Sequence, residues 1–187
     1  MPLVSVAEPR VSFSDLLQMP EDGRRLELYD GEVFEMPGPV PRHQVAADNI
    51  KQILARYSAS HGGLSFVSPI DIVFSEYDVV EPDVVFFLQS RRHLVNFDSV
   101  IRDRPDLAVE VLSPGTVSND RGRKLRMFAR YGVPEYWIAD SLRGCLEVHV
   151  LAGKQFAPPV TSCADEPVSS RILAGLAFPA SDAFRLP

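Results

Sequence analysis

Residues Arg104–Leu125 read RPDLAVEVLSPGTVSNDRGRKL, and two charges in this stretch decide how the chain is read. Leu107–Leu112, LAVEVL, is a strand-like apolar run with Glu110 at its centre. Side chains alternate along a strand, so Leu107, Val109 and Val111 share one face and Ala108, Glu110 and Leu112 the other. Neither face is polar. A carboxylate flanked in this way either faces water or has a partner that makes its burial tolerable.

The second charge lies on the segment that follows, which has helical spacing from about Asn119 to Tyr131, with Gly132 as C-terminal cap and Pro134 beyond. At about 100° per residue from Leu125, Ala129 lies near 40°, Phe128 near 300°, Tyr131 near 240° and Met127 near 200°, and these define the buried sector. Arg123, Arg126 and Arg130 fall at roughly 100–160°, on the solvated face, whereas Lys124 falls near 260° and points inward. Lysine is rarely buried without a partner; the alternative is a side chain snorkelling at the edge of the apolar stripe. Arg121, near 320°, also leans inward at the first turn.

Upstream, EPDVVFFL (Glu81–Leu88) reads as a strand buried on both faces, with Asp83 at its start beside Val85 and Phe87. Taken alone, Asp83 can sit at a solvated strand end and Glu110 on a half-exposed sheet. Taken together, two carboxylates on neighbouring strands and one inward lysine can hold a hard divalent cation and an oriented water, which is the chemistry of phosphodiester hydrolysis. A plain structural ion pair between Lys124 and Glu110 is the competing reading.

Elsewhere the chain alternates compact elements. Val11–Met19 is a short helix candidate with Ser12 or Ser14 as N-cap. Arg24–Met36 reads as a hairpin around Asp30-Gly31. Residues from Arg42 to about Ser60 have helical spacing, and His61-Gly62-Gly63 ends them. LSFVSPIDIVF, EPDVVFFL and PDLAVEVL are three strand candidates, EYWIAD a fourth, and CLEVHVLAGKQFAPPV a hairpin around Ala152-Gly153. Consecutive strands with helices on either side point to an α/β layer fold with a mixed sheet.

The bulk composition narrows the function classes. A chain of 187 residues suits one domain, 1–187, with residues 1–10 as a loose arm. A net charge of −6 means no global basic field draws nucleic acid, so any such contact depends on local clusters. Cys145 and Cys163 have no zinc-ligand spacing and are expected to be buried free thiols. No signal peptide and no apolar run near 18 residues is evident, so no membrane span is expected and the cytoplasm is the default compartment. Ser113 lacks a GxSxG elbow, and no motif ties His43, His61, His93 or His149 to it, which argues against a serine hydrolase.

EPD, a strand, VEVLSP and DRGRK on a helix, in this order, resemble the PD-(D/E)xK nuclease superfamily and, more narrowly, the bacterial restriction-endonuclease-like family called Uma-two. LELYDGE, PRHQ and GVPEYWIAD also match, so the resemblance runs from about Phe13 to Phe184. It implies a restriction-endonuclease-like α/β fold: a central mixed sheet flanked by helices, with an N-terminal hairpin and a C-terminal β-hairpin extension. It implies that Asp83, Glu110 and the Val111 carbonyl bind Mg²⁺, with Mn²⁺ as substitute. The superfamily's lysine normally follows the second acid by two residues, where this chain has Leu112. In the family it has moved to the next helix, which matches Lys124. Glu27 matches an auxiliary acid or water-positioning residue, and His43 a substrate or structural contact. The implied activity is metal-dependent endonucleolytic hydrolysis of nucleic acid, DNA foremost, leaving a 5′-phosphate. Arg121 and Arg123, with Arg126, Arg130, Arg91 and Arg92, are candidates for phosphate contact; a solvated helix face is the alternative for the outward arginines. Nucleases of this fold often cut as homodimers, and Val148, Val150 and Phe156 are interface candidates. The alternative function is a catalytically inactive module of the same fold, used for nucleic-acid binding or oligomerisation.

Overall fold

The computed structural model describes residues 10–20 and 22–187, so the arm expected over residues 1–10 lies outside them but for Arg10. Helix α1 (Phe13–Leu16) starts at Ser12, whose side chain and Asp15 form a reciprocal capping box. Strands β1 (Arg25–Tyr29) and β2 (Glu32–Met36) are the expected hairpin. Asp30 and Gly31 both have positive φ, 52° and 82°, as a two-residue turn of this hand requires. The long helix α2 spans Pro41–His61, with proline opening its first turn and Gly62 closing it.

The run LSFVSPIDIVF is two strands, not the single one expected from its sequence: β3 (Leu64–Val67) and β4 (Ile72–Ser75). Pro69 offers no N–H to a ladder, and the chain turns there and passes to a different sheet. A three-residue strand, β5 (Asp78–Val80), follows; it is too short to show an alternation in sequence. Then come β6 (Val84–Phe87) and β7 (Leu107–Val111). The segment expected as one helix begins as a π-helical turn, Asn119–Lys124, and continues as α3 (Leu125–Arg130). Beyond it lie β8 (Glu135–Asp140), β9 (Cys145–Ala152), β10 (Gln155–Phe156), β11 (Val160–Cys163), β12 (Pro167–Ser169) and β13 (Ala177–Pro179).

The main sheet has the order β10-β9-β8-β7-β6-β3, with β11 also paired to β9. β7 and β8 are parallel and the other pairs antiparallel, so the sheet is mixed. A parallel pair needs a crossover, and the π turn with α3 supplies it. A smaller sheet has the order β2-β1-β5-β4. Apolar side chains cover both faces of the main sheet. Ile50, Ile53 and Leu54 of α2 pack on the face that carries Val84, Phe86, Val109 and Trp137. Met127 and Phe128 of α3 pack on the opposite face with Val85, Phe87, Ala108, Tyr136 and Ile138, together with Tyr29, Ile72 and Val80 of the smaller sheet.

One further expectation is corrected. Cys145 and Cys163 are not free thiols; they form a disulfide, because β9 and β11 place them directly opposite in an antiparallel ladder. Of the interface candidates, Val148 is buried among the α2-side core residues, while Val150 and Phe156 are partly buried and pack at the edges of the two cores. Among the described residues no helix is long and apolar enough to cross a membrane.

Candidate functional site

Strand alternation puts Glu110 on the α3 side of the sheet, with Ala108 and Leu112. Continuing the β6–β7 register, in which Val84 faces Val109, sets Asp83 opposite Glu110. Asp83 Oδ2 accepts the Val111 N–H at 2.8 Å and lies 3.1 Å from His43 Nε2 in the first turn of α2. β6 thus stops where a side chain takes over its hydrogen bonding. N–H and C=O of one residue leave an antiparallel strand towards the same neighbour, so the Val111 carbonyl also faces the space beyond β6.

Lys124 ends the π turn and reaches across to both sheets. Its Nζ is 2.8 Å from Glu110 Oε1 on the main sheet and 2.9 Å from Glu27 Oε1 on the smaller one. Lys124, Glu27, Glu110 and Asp83 are 1%, 1%, 3% and 5% exposed, so this is a buried ion cluster rather than a surface pair. Glu27 is held from two further sides: its Oε1 accepts the Glu81 N–H at 2.9 Å and its Oε2 accepts the Tyr29 hydroxyl. Tyr29 is fixed in turn by the Asn119 amide at 2.9 Å.

The cluster is short of positive charge. Burial pushes the Glu110 carboxyl well above the ordinary carboxylate range; Lys124 opposes this, and Asp83, Asp120 and Glu27 add to it. Burial by itself would lower the Lys124 ammonium, but Glu110 and Glu27 outweigh it and hold Lys124 well above its ordinary value. Lys124 is therefore a fixed cation at neutral pH. Two of its three ammonium protons meet the carboxylates, which leaves one for the cleft that it lines.

That cleft is small, about 30 Å³, and is bordered by Asp83, Glu110, Val111, Lys124, His43 and Arg25. It has room for a cation with a water or two. Among the described residues Asp83 Oδ1 and Glu110 Oε2 accept no hydrogen bond. With the Val111 carbonyl they form an all-oxygen donor set, the chemistry Mg²⁺ prefers when it keeps several waters. The residues fit such an ion, although among the described residues no three His, Cys, Asp or Glu side chains converge as a ready-formed metal cluster.

The structure separates the basic candidates. Arg121 points away from the cleft and makes a two-pronged pair with Glu147, at 2.6 and 2.8 Å. Arg130 is tied to Asp78 and Asp30 at 2.7 and 3.1 Å, and Arg91 lies 3.3 Å from Asp106. Arg123 lies over the Phe34 ring, its guanidinium carbon 3.9 Å from the ring centroid. Arg92 and Arg126 are exposed.

Three participants were not singled out in the sequence. Arg25 shares the Glu27 face of β1 by simple alternation; it borders the cleft, paired with Glu81 at 2.8 Å. Tyr29 lies on the same face. Asp120 is buried behind Lys124 with neither carboxylate oxygen hydrogen-bonded among the described residues, and burial raises it to about 6. The helical wheel that turns Lys124 inward places Asp120 near 220°, inside the buried sector, so the signal was present.

The Uma2 family profile, described as "Putative restriction endonuclease", matches residues 13–181. An uncharacterised protein of Synechocystis sp., slr1290, is 29% identical over 126 residues, 65% of this chain and 63% of that protein, so the match spans less than two thirds of the relative's length. A crystal structure from Anabaena variabilis, described as a putative nuclease belonging to DUF820, superposes with a TM-score of 0.77 over 93% of this chain and 97% of that one, at 18% identity, and shares the fold. With nearly its whole length matched by the profile and this architecture in common, the chain belongs to the Uma2 family and has the restriction-endonuclease-like fold.

Proposed function

We propose that the protein is a metal-dependent endonuclease that hydrolyses phosphodiester bonds in nucleic acid, DNA foremost, at the Asp83–Glu110–Lys124 cleft. One observation carries this reading: a buried lysine joins carboxylates of two sheets beside a third carboxylate with an unengaged oxygen, at the wall of a cleft. Asp83, Glu110 and the Val111 carbonyl are the residues that would hold Mg²⁺ or Mn²⁺. Bound there, the ion supplies positive charge against the scissile phosphate and lowers the pKa of water.

The chain's own residues do the rest. Lys124 stays protonated, so it orients the attacking water and offsets charge on the phosphoryl oxygens instead of taking the proton. Glu27, clamped by Tyr29 and the Glu81 N–H, holds the lysine in place. His43 fixes the orientation of Asp83. Arg25 at the cleft wall faces the developing phosphate charge. Water adds to phosphorus and gives up a proton to solvent, the bond to the 3′-oxygen breaks, that oxygen takes a proton from solvent and leaves as a hydroxyl, and the 5′-phosphate remains on the other fragment.

A non-catalytic module is the second reading. It is favoured by the closeness of the Lys124 pairs, which leave it satisfied as a structural ion pair. Calorimetry with Mg²⁺ or Mn²⁺, run beside plasmid nicking, decides between them. The nuclease reading requires that wild type binds metal and nicks, that Asp83→Ala and Glu110→Ala lose metal, and that Lys124→Ala binds metal without cutting. A wild type that neither binds metal at millimolar concentration nor nicks is a binding module.

A further inference from the structure

A wider recess of about 430 Å³ lies beside the cleft, between β2 and the segment Gly115–Arg126. Met36, Pro37 and Thr116 belong to the walls of both, so the two adjoin. The recess has the size of a small-molecule site. Its lining combines an aromatic ring, Phe34, with positive charge from Arg123 and Arg126. Phe34 is held edge to face by the buried Tyr29, centroids 5.4 Å apart, and the Arg123 guanidinium carbon lies 3.9 Å from the Phe34 centroid. Arg126 is exposed and has no carboxylate within ion-pair distance among the described residues, and Arg123 has only a marginal contact with Glu32, at 4.0 Å. The one acid on the lining, Glu35, lies 3.7 Å from Arg24 at the other side of the hairpin.

Aromatic rings and guanidinium planes are the surfaces on which unpaired bases stack. In a duplex each base is turned to its partner and away from its own backbone phosphate. A base can enter a recess adjoining the phosphate's cleft only when it is splayed out of pairing. On the nuclease reading above, we propose that this recess is the binding subsite for the base next to the scissile phosphate. Arg123 and Phe34 form the stacking platform and Arg126 contacts the flanking phosphate, so the substrate is single-stranded or locally unpaired nucleic acid.

Fluorescence anisotropy of the full chain without divalent metal, at one fixed salt concentration, tests this with three labelled probes: a DNA single strand, its blunt duplex and an abasic strand of the same length and charge. The expected result is that wild type holds the single strand at least roughly tenfold tighter than either other probe, the range stacking of one base supplies. Phe34→Leu, which keeps apolar volume but removes the flat ring, should erase most of that preference, whereas Arg126→Ala, on the exposed surface, should weaken all three probes alike. Equal binding of the three probes, no binding of any, or unchanged discrimination in Phe34→Leu overturns the proposal. Plasmid nicking with Mg²⁺ in parallel separates the causes. If wild type still nicks duplex plasmid, only the base subsite falls; if it neither binds nor nicks, the nuclease reading falls with it.

Discussion

Replacing Lys124 by methionine removes the one ammonium that two buried carboxylates share. Glu27 and Glu110 lie 2.9 and 2.8 Å from its Nζ, and at 1% and 3% exposure they have little solvent to screen them in its place. Removing one partner of a buried pair costs about 3–5 kcal/mol, out of a total stability of about 5–15 kcal/mol for a folded domain. The loss should depend on pH in a set direction. The Glu110 carboxyl is already held above its ordinary value by burial, and without Lys124 it rises further. A carboxyl raised in the folded state keeps its proton while the unfolded chain has lost it, so stability falls as pH climbs from the ordinary carboxylate range to the raised value. The deficit relative to wild type is therefore small near pH 4, where both states are protonated, and full at about pH 8. Lys124 itself, raised in the folded state, keeps its contribution in wild type until the pH passes its ordinary value and loses it as pH rises through the folded one. Urea unfolding by circular dichroism at both pH values, in chelator, measures this. Adding Glu27→Gln and Glu110→Gln to Lys124→Met should return at least about 2 kcal/mol, because neutral amides need no counter-charge. A loss below about 1 kcal/mol that does not change with pH and is not rescued by the amides would refute the buried-cluster argument.

Asp120→Asn should stabilise the metal-free protein. The carboxyl is raised from 3.8 to about 6 by burial, so about two pKa units, or roughly 3 kcal/mol at most, are recovered at pH 7.5 and nothing near pH 3; unfolding at both values tests this, and a parallel fall in nicking would mark a stability–function trade-off. His43→Ala should weaken Mn²⁺ binding by about tenfold in calorimetry, as loss of a residue orienting a ligand does, because Asp83 loses the partner at 3.1 Å; unchanged affinity would make His43 a helix-start contact only. Reduction of the Cys145–Cys163 disulfide, which closes a loop of 18 residues, should lower stability by about 3 kcal/mol while leaving the far-UV spectrum folded; no shift of the urea midpoint would contradict it. Gly63 has φ of 100°, and a Cβ there would meet the Phe87 carbonyl oxygen at 2.7 Å, so Gly63→Ala should lower the melting temperature by several degrees, roughly the effect of 1–3 kcal/mol.

Several features were legible because local chemistry decides them. Asp30-Gly31 carries its own turn, Ser12 and Asp15 their own cap, and the 3.6-residue spacing of α2 its buried stripe. Alternation in LAVEVL put Glu110 on one face, and helical spacing turned Lys124 inward; both positions are buried. The break in LSFVSPIDIVF and the strand Asp78–Val80 were not legible, because a short strand's sheet is chosen by its distant partner and not by its own residues.

What the sequence determined by itself, then, is which charged side chains stand among apolar neighbours, Asp83, Glu110 and Lys124; that all three are buried, while Arg121 on the same wheel is exposed, is seen in the structure. What only the tertiary structure decided is who meets whom. Glu27 shares Lys124 with Glu110 because the smaller sheet packs against the helix side of the main one. Arg121 is spent on Glu147 because β9 lies within its reach, and Cys145 finds Cys163 because β11 folds back onto β9. The neighbours a charge has on its own strand or helix follow from local pattern, since the period of the element sets which residues share a face. Partnership depends on contacts across long stretches of chain, whose register no local pattern encodes.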